Sequence, residues 1–166
     1  MATSASALLQ ILAQGEVVPT SPFTGGPAMH KLENTTGGSR WAQGTASGQI
    51  DRVYMVSGDM IADATDSYDV KAAGSLTDVY GQAIDLDELK GLVLKCLTGT
   101  IVFLSPGANN LGCFLAAADG IQLTAGQTLA IDFGAAGLDV TTDSKFDIDE
   151  PTSAVATYTL LLWGAQ

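Results

Sequence analysis

The sequence predicts an all-β protein, an antiparallel β-sandwich of the jelly-roll type with an extended N-terminal arm. From Ile50 onward, apolar residues recur at every second position, as in half-buried strands. Gly, Pro and Asn separate roughly eight such segments at intervals of about 8–12 residues, as in sandwiches and barrels. No long helical pattern is visible, and no repeat of about 20–50 residues suggests a solenoid or propeller. An immunoglobulin-like sandwich is the second choice, because its Cys…Trp…Cys spacing is missing.

Residues 1–49 differ in composition from the rest and are predicted to form the arm. Residues 4–14 (SASALLQILAQ) have apolar side chains at helical spacing and predict one short helix. Prolines, glycines and the low-complexity run 34–49 follow, which predicts a loop. Terminal segments are usually poorly ordered unless something ties them down. We therefore expect the arm to be held on its own domain or on a neighbouring chain.

The apolar side chains of the arm are the predicted contacts with a partner. An aromatic residue in a loop-like segment has no core of its own, so Trp41 is interpreted as an anchor in a neighbouring surface. Trp163, which closes an apolar strand, is interpreted as part of a core or an interface. The predicted partner-binding residues are Leu8, Leu9, Ile11, Leu12, Phe23 and Trp41.

The predicted β-sandwich domain covers residues 50–166. Residues 85–90 (DLDELK) predict a helical turn, and residues 145–150 (KFDIDE) predict an edge strand. In the last strand, Tyr158, Leu160 and Leu162 share one face, which we expect to be buried. The predicted strands lie, in order, in residues 52–62, 67–74, 91–97, 100–106, 112–117, both halves of 119–134, 145–150 and 154–164.

Residues 119–134 (DGIQLTAGQTLAIDFG) predict a β-hairpin. Apolar residues alternate on both sides of the turn Thr124-Ala125-Gly126, and glycine tolerates the positive φ that such turns often need. The second half places its apolar residues on a single face, which we expect to pack into the sandwich. The polar residues expected to face water or a partner are Asp119, Gln122 and Asp132.

The chain is acidic, with a net charge of −11 and seven scattered basic residues. Binding to phosphates needs clustered Lys and Arg, so we expect neither nucleic acid nor an anionic membrane as a partner. No apolar stretch approaches the roughly 18 residues of a membrane span. The N-terminal Leu-rich run lacks the preceding positive charge of a secretory signal. We therefore expect the protein to be made in a cytoplasm.

Motifs for catalysis are missing, so the chain is predicted not to be an enzyme and to use no cofactor. The sequence has one histidine, His30, which a Ser/His/Asp or Cys/His mechanism would have to use. A Pro/Gly-rich arm is a poor place to hold a base beside a nucleophile. The motifs GxSxG, GxxxxGK[ST] and GxGxxG do not occur. No catalytic, cofactor-binding or metal-binding residue is assigned.

Acidic residues cluster in residues 59–69 and 139–150. Solvated loop acids are the favoured interpretation. A carboxylate pair for glycoside hydrolysis is an alternative, although the chain has few aromatic residues for a sugar cleft. Calcium binding by the second cluster is another, although its spacing does not match an EF-hand. Cys96 and Cys113 lie in apolar surroundings, which predicts buried free thiols and leaves a disulfide between them open.

Three stretches resemble small, β-rich, jelly-roll-like virion structural proteins of tailed bacteriophages, such as head decoration or cement proteins. They are residues 70–96 (VKAAGSLTDVYGQAIDLDELKGLVLKC), 119–132 (DGIQLTAGQTLAID) and 156–164 (ATYTLLLWG). In those proteins an AGSLTDxFGxx segment leads into a strand, and the chain ends on a TYxxxxxG strand. The resemblance covers residues 50–166. Its one departure is DLDELK, which is more acidic and helix-prone than the expected strand.

The resemblance implies a non-enzymatic component of a virion, made in the bacterial host cytoplasm. Its implied partners are other virion proteins, either the major capsid protein or neighbouring copies of the chain. Capsid decoration is the first expectation, and a head fibre, a turret or a tail component is the alternative. A closed homo-oligomer such as a trimer fits such proteins, and repetition on a symmetric shell adds avidity. From another class, a carbohydrate-binding module is the alternative, followed by a carboxylate-based glycosidase.

Overall fold

The computed structural model describes residues 7–17, 30–77, 83–116 and 119–166, with side chains from Gly44 onward. Within these ranges the chain forms strands, turns and bends but no helix, which confirms the predicted all-β class. The strands are β1 (Ala7–Val17), β2 (His30–Gln43), β3 (Gln49–Ile50), β4 (Arg52–Met60), β5 (Thr65–Asp69), β6 (Glu88–Thr98), β7 (Thr100–Leu104), β8 (Gly120–Thr124), β9 (Thr128–Asp132), β10 (Leu138–Asp139), β11 (Lys145–Asp149) and β12 (Ala156–Ala165).

Two antiparallel sheets make up the sandwich. The front sheet has the order β4-β12-β6, and both β9 and β10 pair with the far side of β6. The back sheet has the order β5-β11-β7-β8. The two-residue period of burial in β12 and β11 follows from this arrangement, because each strand presents alternate side chains to the space between the sheets.

The pairing of the eight longer sandwich strands is nested. The first of them, β4, pairs with the last, β12, and the second, β5, pairs with the second last, β11. The third and sixth strands, β6 and β9, pair in turn, as do the fourth and fifth, β7 and β8. The sandwich is therefore one long ribbon of paired strands folded over on itself.

The main hydrophobic core lies between the two sheets. Tyr158, Leu160 and Leu162 of β12 are fully buried in it, as the sequence predicts. Phe146 and Phe103 of the back sheet belong to the same core. The centroids of these two phenylalanine rings are 5.2 Å apart. Aromatic rings at this separation add to the stabilisation that comes from buried area alone.

The predicted hairpin at residues 119–134 is wrong, although both of its strands exist. β8 pairs with β7 in the back sheet, whereas β9 pairs with β6 in the front sheet. The turn at Thr124-Ala125-Gly126 therefore carries the chain from one sheet to the other. The neighbouring turn between β6 and β7 contains Gly99, which has a φ of 73°. The N–H of Ala125 donates to the carbonyl of Gly99 at 3.0 Å. Strand period predicts faces correctly, but not which strands pair.

Three further predictions are corrected by local hydrogen bonding or pairing. Glu88–Lys90 belongs to β6 rather than to a helical turn, because it pairs with β10 and β12. Gly112–Ala116 forms turns and bends rather than a strand, since the Asp119 carboxylate accepts the N–H groups of Leu115 and Ala116. The KFDIDE strand, β11, is central rather than an edge, because it lies between β5 and β7. Apart from residues 112–117, each predicted strand segment of the sandwich overlaps an observed strand.

The N-terminal residues correct the expectation of a helix followed by a loop. Residues 7–14 of the predicted helix belong to β1, which pairs antiparallel with β2, and β2 pairs parallel with β3. Residues 34–43 of the predicted loop belong to β2. Short apolar runs match helical and extended patterns about equally, so period alone does not separate them.

Gly58 makes a close cross-strand contact that supplies a first test of the core. It pairs with Tyr158, and a Cβ added to Gly58 would lie 2.3 Å from the Tyr158 ring. Gly58→Ala is therefore expected to lower the free energy of unfolding by about 1–3 kcal/mol through overpacking. Chemical denaturation measures this, with Ser57→Ala on the exposed face of the same strand as the control. Equal stability of the two variants would contradict the tight contact.

Candidate functional site

A second hydrophobic cluster lies on the outer face of the front sheet. Trp163 is 2% exposed, yet it is out of phase with Tyr158, Leu160 and Leu162, so its side chain points away from the main core. Ile50 covers it and is fully buried. We call this the outer cluster, and its members are Ile50 and Trp163 with the partly buried Val53, Val93, Ala130 and Leu161. The prediction that Trp163 belongs to a core or an interface is confirmed.

Residues 44–51, which we call the arm root, are fastened to the sandwich by backbone hydrogen bonds. The N–H of Asp51 donates to the carbonyl of Gly164 at 3.0 Å, and the N–H of Gly48 donates to that of Ala135 at 2.8 Å. The Asp51 carboxylate accepts the N–H of Gln166 at 3.0 Å. Apolar burial and these bonds together hold the root of the arm against β12.

A buried lysine supports the turn on which the arm root rests. The side chain of Lys90 is fully buried, and its ammonium pairs with the Glu88 carboxylate. The same ammonium donates to the carbonyls of Ala135 and Ala136 at 2.9 and 2.8 Å. A buried charge is tolerated only when it is paired and hydrogen-bonded. Because Ala135 also receives the N–H of Gly48, Lys90 and the arm root hold the same turn.

The predicted partner-binding residues of the arm lie mostly on its two paired strands. Trp41 of β2 is the cross-strand partner of Ala7 in β1. Phe23 lies outside the described residues. Across the ladder, the four apolar residues of β1 meet arginine, serine, glycine and threonine of β2, in the pairs Leu8↔Arg40, Leu9↔Ser39, Ile11↔Gly37 and Leu12↔Thr36. Their role in binding stays a prediction.

The arm root and Lys90 were not predicted from the sequence. The sequence signal for the arm root is the position of Trp163 in the last strand. Trp163 falls on the opposite face from Tyr158, Leu160 and Leu162, so a different segment must bury it. Ile50 is the first apolar residue after the Gly/Ser-rich run and is the natural candidate for that cover. Lys90 gives no comparable signal, because a lysine in a strand usually faces solvent.

A hydrogen-bonded chain of two tyrosines and an aspartate joins the two sheets through the core. The Tyr158 hydroxyl donates to the Asp66 carboxylate, so the Tyr68 hydroxyl must donate to Tyr158; both distances are 2.5 Å. Burial raises the pKa of Tyr68 to about 12, and burial also raises the pKa of Tyr158. Both hydroxyls therefore stay protonated at neutral pH, and the chain acts as a structural link between β5 and β12.

The two acidic clusters divide into separate hydrogen-bonding roles. Asp66 binds Tyr158, Asp63 accepts the Ser153 hydroxyl at 2.7 Å, and Asp139 accepts the hydroxyl of Thr141 at 2.7 Å. Glu150 is 1% exposed, which corrects its interpretation as a solvated loop acid. Among the described residues, no group of three or more His, Cys, Asp or Glu side chains is arranged to hold a metal ion.

The polar residues of segment 119–132 are placed as predicted, since Asp119, Gln122 and Asp132 are exposed.

Glu150 fastens two turns at one end of the sandwich. Its carboxylate accepts the Thr152 hydroxyl and the N–H groups of Asp63, Thr152 and Ala154. The bond from the Thr152 hydroxyl, with those from the three backbone groups, outweighs burial and lowers the pKa of Glu150 from 4.5 to about 2. A carboxyl whose pKa is lower in the folded state stabilises the fold while it is ionised.

This pKa predicts an acid-dependent loss of stability. The contribution of Glu150 is fully present above pH 4.5 and is lost as the pH falls from 4.5 to about 2. Glu150→Gln is therefore expected to be clearly less stable than the unmodified protein at pH 7, with the difference shrinking across that window. Urea unfolding at several pH values measures this. A difference that stays constant down to pH 2 would exclude the charge of Glu150 as its cause.

The two thiols occupy different environments and are free. Cys96 is buried, as predicted, with its Sγ 3.4 Å from the carbonyl of Thr98. Cys113 is exposed, which corrects the expectation of two buried thiols.

The exposure of the thiols predicts selective labelling. A maleimide reagent is expected to modify Cys113 in the folded protein and Cys96 only after denaturation, as peptide mass spectrometry would show. Cys113→Ser should abolish native labelling, while Cys96→Ser should leave it unchanged. Native labelling of Cys96 would contradict the placement of β6.

Several large apolar side chains are exposed on the sandwich. They lie on β4, at the turns of one end and around the loop that precedes β8, and are Met55, Ile61, Leu97, Leu115, Ile121 and Val155. Of these, Met55 is the cross-strand neighbour of Leu161 in the outer cluster, and apolar side chains that form one patch are typical of surfaces that contact another protein. In the described part of the chain, no helix has the length and apolar character needed to cross a membrane.

These features define a candidate assembly surface on the outer face of the front sheet, made of the arm root, the outer cluster and the exposed Met55, which pairs with Leu161 of that cluster. The resemblance to bacteriophage virion proteins stays a prediction. No protein-family model, curated protein or solved structure matches this chain.

Proposed function

We propose that the chain is a non-enzymatic virion structural protein, a capsid decoration or cement protein that stabilises a tailed-phage head through its arm and its sandwich surface. The observation that carries the proposal is the anchored arm root. Ile50 is buried against Trp163 on the outer face of the front sheet, so the arm starts from a fixed position on that sheet. A fixed starting point limits the entropy that an arm loses when it binds a neighbour.

The strand order supports a jelly-roll assignment for the sandwich. Nested pairing of the first strand with the last, the second with the second last, and so on, follows from rolling up one long hairpin. Such double-sheet jelly rolls are common in viral capsid proteins. Fold alone does not determine function, so this agreement only adds weight to the sequence resemblance.

The length of the paired strands supports an arm that reaches a neighbour. β2 has 14 residues and β1 has 11, and a strand rises about 3.3 Å per residue, so an extended β2 spans roughly 45 Å. This length suits contact with the major capsid protein or with another copy of the chain. We propose a closed homo-oligomer such as a trimer, in which repeated weak contacts on a symmetric shell add up.

A particle-association experiment tests the proposal. Virions are purified on a density gradient from the phage-producing culture and probed with an antibody against the chain. We expect the chain to sediment with the heads. Leu9→Asp with Ile11→Asp in the arm should shift it to the soluble fraction without changing its melting temperature. Gln10→Asp, between them on the same strand, is the matched control.

The same experiment separates the alternatives within this class. Immunogold labelling over the head surface supports decoration, whereas labelling at fibres, turrets or the tail supports one of those components instead. A chain that is absent from every particle fraction overturns the proposal. Sedimentation that the arm variants leave unchanged would show that the arm is not the contact.

A further inference from the structure

A pocket of about 280 Å³ with polar and apolar lining residues lies on the outer face of the back sheet, away from the arm root. Its floor comes from outward-facing residues of β5 and β11, and its walls come from Leu76 on one side and Pro106 on the other. Pockets for drug-sized ligands begin at about 300 Å³. This pocket therefore suits one small molecule or one unit of a larger one.

The floor of the pocket consists of two adjacent cross-strand pairs. Asp147 lies opposite Ser67, and Lys145 lies opposite Asp69. Directly opposed side chains of an antiparallel ladder have Cβ atoms about 5 Å apart. The floor therefore brings two carboxylates, an ammonium and a hydroxyl into one small area.

Asp69 is held in a fixed orientation. Its Oδ1 accepts the Ser144 hydroxyl at 2.7 Å and the N–H groups of Lys71 and Ala72 at 3.1 Å each. Burial alone would raise the pKa of Asp69, but these bonds and the nearby Lys145 outweigh it and lower the pKa. The second oxygen, Oδ2, lies 3.7 Å from the Lys145 ammonium, which is longer than a hydrogen bond.

The remaining polar groups of the floor keep unused hydrogen-bonding capacity. The Asp147 carboxylate and the Ser67 hydroxyl make no hydrogen bond to any residue that the structure describes. Among the residues with described positions, the side-chain ammonium of Lys145 contacts only Asp69, at the long distance of 3.7 Å. Acceptors and donors therefore stand side by side, in a pocket whose walls already exclude part of the solvent.

The mixture of charges restricts the ligand. Two carboxylates repel an anion. Lys145 lies close to one of them, so it offsets part of the attraction that the carboxylates would exert on a cation. A sugar ring offers neighbouring hydroxyls that donate to a carboxylate and accept from an ammonium or a hydroxyl. We propose that this pocket binds a neutral sugar unit through adjacent hydroxyls, with Asp147 and Asp69 as acceptors and Lys145 and Ser67 completing the contacts.

An NMR titration of the full-length chain tests this site directly. Glucose, galactose and mannose are each titrated into ¹⁵N-labelled protein. At least one is expected to cause saturable amide shifts centred on Ser67 and Asp147. Asp147→Asn should weaken that binding at least about tenfold, because it removes a charge-assisted hydrogen bond. Ser67→Ala should weaken it about threefold.

Controls separate this site from general surface effects. Asp59→Asn, on an exposed position of the front sheet, should bind the sugar as the unmodified protein does, and melting temperatures establish that all variants are folded. Phosphate and butylamine serve as an anionic and a cationic probe. The proposal is overturned if no sugar shifts these residues, if Asp147→Asn binds normally, or if either charged probe binds there more tightly than the sugars. Particle association plays no part in this test, so it can fail independently of the proposed function.

Discussion

Trp163→Ala is expected to lower the free energy of unfolding by about 3–5 kcal/mol, the range for removing a large buried aromatic side chain. The side chain is 2% exposed under Ile50. Its loss would leave a cavity against Ile50, which has no other fully buried partner in the outer cluster. Urea or guanidinium denaturation measures the change in stability.

The same substitution should also release the arm root, which is a separate result. Limited trypsin digestion is expected to cleave at Arg40 or Arg52 earlier in Trp163→Ala than in the unmodified protein, under conditions in which both sandwiches remain folded. Met55→Ala is the matched control, because Met55 lies on the same face but is 62% exposed. If trypsin cleaved Trp163→Ala and Met55→Ala equally fast at these sites, the outer cluster would not be the anchor of the arm.

Lys90→Met is expected to lower the free energy of unfolding by about 2–4 kcal/mol, because the charge-assisted hydrogen bonds are lost, the Glu88 carboxylate loses its partner and the Ala136 carbonyl is left without its donor. Methionine retains most of the apolar stem, so the change isolates the ammonium and its bonds to Glu88, Ala135 and Ala136. Denaturant unfolding at neutral pH measures the loss.

Two companion measurements define the role of Lys90. Lys95→Met, on an exposed position of the same strand, should change stability by less than about 0.5 kcal/mol. Hydrogen exchange should show faster exchange at Gly48 in Lys90→Met, because the carbonyl that accepts its N–H lies in the turn that Lys90 supports. Unchanged protection of Gly48 would mean that Lys90 stabilises the sandwich without positioning the arm root.

The sequence was sufficient to predict the strands of the sandwich but not their partners. Alternation in residues 154–164 correctly placed Tyr158, Leu160 and Leu162 in the core. The same reasoning joined β8 and β9 as a hairpin, since a short turn with glycine normally joins paired strands. Pairing depends on contacts between distant segments, which a local period does not contain.

The candidate site was less predictable than the fold for two physical reasons. Buried polar groups such as Lys90 and Glu150 are stabilised by carbonyl and N–H groups from turns that are distant in sequence or lack a periodic pattern. The pocket floor arises because β5 and β11 pair in one register, which sets Ser67 beside Asp147 and Asp69 beside Lys145. A shift of β5 by one residue would turn Ser67 and Asp69 into the core and separate them from Asp147 and Lys145.

The anchorage of the arm root has a consequence for the order in which the protein matures. Ile50 is synthesised long before Trp163, and the surface that holds it is complete only when β12 has paired with both β4 and β6. A ribosome-bound chain that lacks β12 therefore has no anchored arm to offer a partner. If the arm binds neighbouring subunits as proposed, the contact between Ile50 and Trp163 delays that binding until the sandwich is complete.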